Sequence, residues 1–317
     1  DRGAMAELSV NRVSGTLAGY PLNLAARARL LGDAVQLDSL DLVAGGNRLN
    51  ASGQVSPDAL ALSWDLKAAA PGVLLPGASG TLAASGSVGG SPESPRVVAQ
   101  LAGDSLGLDE LRVETVNGTL EAGLAAEDPL TIDLRTGPVH QGDREMLASL
   151  RLQTSGTSAR HRLDLELAAA DDELRAGLEG GLAAGLDAWQ GQLVQLAAIS
   201  GEYGHWRLAE PAALSLSATA ATLGNSCLQA EGDAGRVCLA GDWHQAGDSR
   251  LTASLGGIPL EQWVPAVTGA IDGELAATLG SDGALFADGA FRLAPGQVNV
   301  CLLYTSPSPR DSLHNLV

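Results

Sequence analysis

The chain has 317 residues, 19 basic against 37 acidic side chains and only 3% aromatic residues, and it carries a net charge of -18. That charge repels a phosphate backbone and no run of Lys and Arg offsets it, so nucleic-acid binding is excluded. Five Trp, three Tyr and two Phe are too few for an aromatic-rich core.

Period-two alternation, the signature of a strand with one apolar face, predicts most of the elements. It begins at Leu22 and Leu24 and at Val35 and Leu37, and becomes regular over Leu60-Ala61-Leu62-Ser63-Trp64-Asp65-Leu66. The uncharged stretch from Ala68 to Pro92 is interrupted by Pro, Gly and Ser, so it is not a membrane span. Ser87 to Pro95 reads as a loop. Alternation returns over Leu130-Thr131-Ile132-Asp133-Leu134-Arg135 and Arg162-Leu163-Asp164-Leu165-Glu166-Leu167. It then continues through Leu214 and Leu216, Leu251 to Leu255, and Leu275 to Leu279.

Turn chemistry separates these runs at Gly45-Gly46-Asn47, Ser56-Pro57-Asp58, Asn117-Gly118 and Thr136-Gly137-Pro138. Gly-Thr-Leu recurs at residues 15, 80 and 118 and is expected at strand starts. Leu178, Leu182, Leu186, Trp189, Leu193 and Leu196 follow a helical spacing, yet the glycines among them disfavour a helix. Two strands with a turn near residues 183-188 are expected there. Pro259 to Val264 is expected to be a short helix, with Pro at its first turn and Pro265 ending it. Many short strands with glycine punctuation make an all-β fold.

Catalytic motifs are weak. Gly103-Asp104-Ser105-Leu106-Gly107 matches a nucleophile-elbow pattern, but such an elbow needs a helix after the serine and a nearby base. A turn between strands is the expectation. The single lysine, Lys67, precedes Ala68, so no phosphate-binding loop exists. Cys227, Cys238 and His244 lack the spacing of a metal site, and Asp171-Asp172 and Glu127-Asp128 read as solvated turn acids. Neither metal, cofactor nor enzymatic activity is expected. Asn117-Gly118-Thr119 matches a glycosylation acceptor but makes a good turn.

Cysteines say more. If Gly232-Asp233 is a two-residue hairpin turn, Cys227 opposes Cys238 on the polar face with Gln229 and Arg236. Opposed strand residues lie within disulfide reach, which points to an oxidising compartment.

From Cys301 the sequence changes to a Ser/Pro-rich string, Cys301-Leu302-Leu303-Tyr304-Thr305-Ser306-Pro307-Ser308-Pro309-Arg310-Asp311-Ser312, that resembles adapter read-through. Residues 301-317 are set apart as a non-native tail, and 1-300 is expected to be one piece of a repetitive β-sheet domain. Asp1-Arg2-Gly3 opens the chain without a basic-then-apolar leader, so an interior portion of a longer protein is expected.

Several phrases together resemble the TamB family of the translocation and assembly module, within the wider AsmA-like group. They are Gly46-Asn47-Arg48-Leu49-Asn50-Ala51-Ser52-Gly53, His161-Arg162-Leu163, Trp189-Gln190-Gly191-Gln192-Leu193 and Trp206-Arg207-Leu208-Ala209-Glu210-Pro211-Ala212. Cys227-Leu228, Val237-Cys238-Leu239, Ile258-Pro259-Leu260 and Pro295-Gly296 extend the likeness. The resemblance implies an elongated, curled, taco-like sheet with an apolar groove, crossing the periplasm of a Gram-negative envelope from an inner-membrane anchor. It also implies phospholipid acyl chains as cargo and the outer-membrane barrel protein TamA as partner. Leu60, Leu62, Trp64, Leu130, Ile132, Leu134, Leu163, Leu165 and Leu167 are the candidate groove lining. A structural or adhesive β-solenoid without transport activity is the alternative.

Overall fold

A computed structural model describes residues 5-183, 187-233, 235-262, 264 and 266-297. Among them all strands join one antiparallel sheet of 22 members. In chain order they are β1 (Met5–Leu17), β2 (Tyr20–Leu31), β3 (Ala34–Ala44), β4 (Asn47–Val55), β5 (Leu60–Ala68), β6 (Ala78–Gly90), β7 (Pro95–Leu108) and β8 (Leu111–Gly123). Next come β9 (Leu130–Thr136), β10 (Val139–Gln141), β11 (Arg144–Leu147), β12 (Ser149–Gly156), β13 (His161–Ala169), β14 (Asp172–Leu182) and β15 (Ala188–Ser200). The last are β16 (Gly204–Leu208), β17 (Ala212–Ser217), β18 (Ala220–Ala230), β19 (Arg236–His244), β20 (Ser249–Pro259), β21 (Ala270–Leu279) and β22 (Leu285–Leu293).

The topology is a meander. Each strand pairs with the next from β1 to β9. β9 then pairs with β12 because the short β10–β11 hairpin extends the sheet beside β8. β16 and β17 share one position between β15 and β18. Such nearest-neighbour pairing needs only short turns, and the sequence supplies them at Gly45-Gly46, Ser56-Pro57-Asp58 and Gly142.

A second layer is absent among the described residues, and burial shows it. Only seven apolar residues are buried there: Ala44, Ala68, Val73, Ala212, Cys227, Ala230 and Ile258. The leucines of the strand interiors stay partly open, and Leu285, Phe291 and Leu293 of β22 are more than 60% exposed.

One small packed corner lies where β4 begins. Asn47, 3% exposed, donates from Nδ2 to the Ala70 carbonyl at 2.8 Å and accepts from the Ala70 N–H at 2.9 Å. Its amide stands in for a strand partner beside the 3-10 turn Pro71–Val73. Val73 is buried against the Gly45 backbone, where an added Cβ would lie 2.7 Å from its methyl group.

Several local expectations need correction. Asn117-Gly118 is not a turn but lies inside β8, where Gly118 leaves room for Leu134 and Leu101. Gly103 to Gly107 lies inside β7, at a register shift where Ser105 takes φ 51. Gly15-Thr16-Leu17 ends β1 rather than starting a strand. The Gly232-Asp233 turn is longer than two residues: Ala230 N–H donates to Gly235 C=O, and Gly232 sits at φ 74 in the 3-10 stretch Glu231–Asp233.

Ser87 to Pro95 is not all loop: Ser87 to Gly90 belong to β6 and Pro95 opens β7, so only residues 91-94 connect the two strands. As expected, Leu178 to Leu196 fall in two strands, β14 and β15; residues 184-186 between them lie outside the described residues. The short helix expected over Pro259 to Val264 is not formed as such: Pro259 ends β20 and pairs with Ala270, and a single 3-10 turn, Leu260–Gln262, follows it; Trp263 and Pro265 lie outside the described residues. The tail at 301-317 also lies outside them.

Candidate functional site: an apolar sheet face

Residues opposed across two strands point to the same side of a sheet, so register joins short alternations into long rows. From Leu165 the partners run through Leu152, Leu134, Gly118, Leu101 and Ala84. They continue through Leu66, Leu49, Leu42, Leu24 and Val13 to the first strand. In the other direction they run through Ala176 and Leu196. Continuing the register, the row resumes at Leu208 and passes Leu228, Val237, Leu255 and Gly273 to Phe291 in the last strand. Every member is apolar or glycine. At ~4.8 Å per strand the row is about 85 Å long.

Flanking rows repeat this chemistry. Leu163 opposes Thr154 and Leu178, and Thr154 opposes Ile132; Leu167 opposes Leu150 and Leu174. On β5, Leu60, Leu62 and Trp64 share the side of Leu66; on β9, Leu130 and Ile132 share that of Leu134. All nine candidate lining residues therefore stand on one face. The opposite face carries Asp65, Asp133, Gln153, Asp164 and Glu179 among its neighbours.

Three aromatic residues lie over glycines. An added Cβ at Gly86 would meet the Trp64 ring at 2.8 Å, one at Gly180 or Gly191 the Trp189 ring at 2.6 Å, and one at Gly273 the Phe291 ring at 2.4 Å. Each ring thus fills a notch left by a missing side chain on the neighbouring strand, the device that restores packing over strand glycines. Trp189 is further anchored: its Nε1–H donates to His161 Nε2 at 2.8 Å. His161 Nδ1 lies 3.0 Å from the Thr157 carbonyl, so the neutral tautomer with Nδ1–H donating and Nε2 accepting satisfies both contacts.

An open hollow of about 440 Å³ lies on this face, bordered by Leu214, Leu223, Trp243, Leu251, Leu279 and Leu285. A larger hollow of about 530 Å³ lies on the other face over Asp65, Ser85, Gln100, Thr119, Asp133 and Arg135. Chemistry, not size, separates them. Carboxylates and a guanidinium would have to be desolvated by an acyl chain, whereas leucines gain by covering.

The polar face is knitted by exposed ion pairs. Arg29 Nε donates to Asp38 at 2.9 Å, and Arg135 donates to both Asp133 oxygens at 3.0 Å. Arg29 holds Asp38 below the ordinary carboxylate range; Arg135 does the same for Asp133, with Gln153 adding a further hydrogen bond. A lowered native value means the stabilisation is present above the unfolded value of ~3.9 and fades as pH falls through the native one. In an NMR titration both carboxylates should reach half-protonation below pH ~3.9, and Arg135→Gln should move Asp133 back towards it without moving Asp38.

Cys227 and Cys238 oppose one another and form a disulfide, with Cα atoms 3.9 Å apart. The longer loop preserves the expected register, since Leu228 still opposes Val237 and Gln229 opposes Arg236. The bridge clips β18 to β19 behind the apolar row. Replacing both cysteines by alanine should cost about 2–3 kcal/mol, from the loop closed by the bridge. Urea unfolding would check this: the variant and reduced wild type should share one lowered midpoint.

The remaining candidates do not converge. His244 pairs with Asp242 and both cysteines are bonded to each other, and no metal-ligating cluster occurs among the described residues. Among the described residues the Ser105 hydroxyl bonds only to the adjacent Asp104, while His140 pairs with Glu114. No helix among the described residues is long and apolar enough to cross a membrane.

A family model described as TamB, N-terminal domain, matches residues 3–300. The chain belongs to that family. Searches of curated proteins and of solved structures return no match.

Proposed function

We propose that this TamB-family chain supplies part of a lipid conduit between the inner and outer membranes of a Gram-negative envelope, its apolar face serving as a trough for acyl chains. Membership of the family supports a place in the translocation and assembly module, and the same likeness makes the barrel protein TamA the proposed partner. The single observation that carries the lipid reading is the apolar row from Val13 to Phe291, with no second layer over it among the described residues. An exposed apolar surface of this extent marks an interaction site.

A conduit also needs cargo to slide. Each methylene gains about 0.8 kcal/mol on leaving water, but successive strands offer the same Leu, Ala and Gly surface, so displacement along the row leaves that gain nearly unchanged. Aromatic rings seated in glycine notches add contact without standing across the path. The curled groove belongs to this proposal: curling would cover the cargo from water on both sides.

A structural β-solenoid would bury its leucines in a filled interior. Here they stay partly open, which favours the conduit. Native mass spectrometry of the chain purified in mild detergent tests the choice. Phospholipid adducts that decline in a Leu223→Asp/Leu251→Asp variant are expected, and an adduct-free spectrum would count against the conduit.

A further inference from the structure

The back of the apolar row is a basic row that no run of sequence reveals. On the polar face Arg48 opposes Lys67, and Arg135 opposes Arg151. Like charges directly opposite one another destabilise a sheet. Both pairs occur in a chain with almost twice as many acids as bases.

Beyond Arg151 the row becomes regular. Its partners are Glu166, Arg175, Ala197, Arg207, Gln229 and Arg236, each directly opposite the last. An arginine therefore recurs at every second strand, a pitch of about 9.6 Å at ~4.8 Å per strand. Arg175 pairs with Glu173 at 2.9 Å, and Arg151 approaches Glu166 only at 3.9 Å. Arg207 and Arg236 are exposed and make no ion pair among the described residues. Beside these two, the Cys227–Cys238 disulfide presents no charge.

We propose that Arg151, Arg175, Arg207 and Arg236 form a docking track for an acidic polypeptide segment in the polyproline II conformation. That helix has three residues per turn and rises about 9.3 Å per turn, so an acidic residue at every third position meets an arginine at each step. Guanidinium–carboxylate pairing supplies the recognition. Phospholipid carried in the trough cannot serve instead, because the track faces away from it across the sheet. A nucleic-acid strand presents a phosphate about every 3.4 Å along its axis, out of step with the arginine pitch of about 9.6 Å.

The test uses the whole chain and a fluorescein-labelled peptide of five Glu-Pro-Pro repeats, followed by fluorescence anisotropy in about 50 mM salt, where surface attraction is weakly screened. Saturable binding is expected. A peptide with the same five glutamates grouped at one end should bind at least about five-fold more weakly, a comparison that needs no variant. Arg207→Gln/Arg236→Gln should weaken the spaced peptide by a similar factor with unchanged circular dichroism, and Arg144→Gln, an exposed arginine outside the row, should not. No binding, equal binding of the spaced and grouped peptides, or equal losses from the row and control variants would each overturn the proposal. None of these outcomes depends on lipid binding at the opposite face, so the two proposals fail separately.

Discussion

Gly180→Val should unseat Trp189 and destabilise the chain by about 2–4 kcal/mol, from overpacking together with a lost hydrogen bond. The two glycines Gly180 and Gly191 oppose one another beneath the ring. A Cβ at Gly180 would lie 2.6 Å from the indole and 2.4 Å from the Gln190 carbonyl oxygen, so ring or strand must move. If the ring moves, its bond to His161 at 2.8 Å breaks and the indole is pushed out from the apolar face. Near-ultraviolet circular dichroism and a urea midpoint read the two consequences separately. Gly142→Val, at a turn where the added Cβ meets nothing within 4 Å but φ is 59, would isolate backbone strain from ring displacement. An unchanged Trp signal in Gly180→Val would refute the notch.

Asn47→Ala should cost a comparable amount, about 2–4 kcal/mol, because the Ala70 N–H and C=O each lose a partner at a poorly hydrated site. The buried amide makes both bonds at once, and no neighbouring strand continues there to replace them. Asn47→Asp keeps the acceptor and removes the donor, so it should recover part of the loss near neutral pH. Amide exchange at Ala70 is the sharper readout: protection should vanish in Asn47→Ala and persist in Asn47→Asp. Equal protection in wild type and Asn47→Ala would show that the amide clamp contributes nothing.

Strand identity was legible wherever one face is apolar, as in β5, β9 and β13. Local chemistry misled at Asn117-Gly118, because the pair that makes a hairpin turn also makes a notch inside a strand. The helical spacing from Leu178 to Leu196 has a similar origin. Leu193 and Leu196 are three apart yet share a face, since the register shifts between Gly177 and Leu178 where β14 meets β15. The cysteine pairing was readable because a hairpin's register depends on the sum of opposed positions, which the longer loop leaves unchanged. Rows were not readable at all. Arg151, Arg175, Arg207 and Arg236 lie tens of residues apart, and only register brings them into line. The seating of Trp64, Trp189 and Phe291 on glycines of adjacent strands was hidden for the same reason.

Paired photo-crosslinking across the two faces tests the trough most directly. A benzophenone amino acid would be placed singly at Leu62, Leu134 and Leu165 and at their neighbours Ser63, Arg135 and Asp164, which alternation turns to the other side. With phospholipid present, labelling at the three leucine positions and little at the other three is the predicted result. Equal labelling on both faces, or none at the leucines, would contradict an acyl-chain path along this sheet.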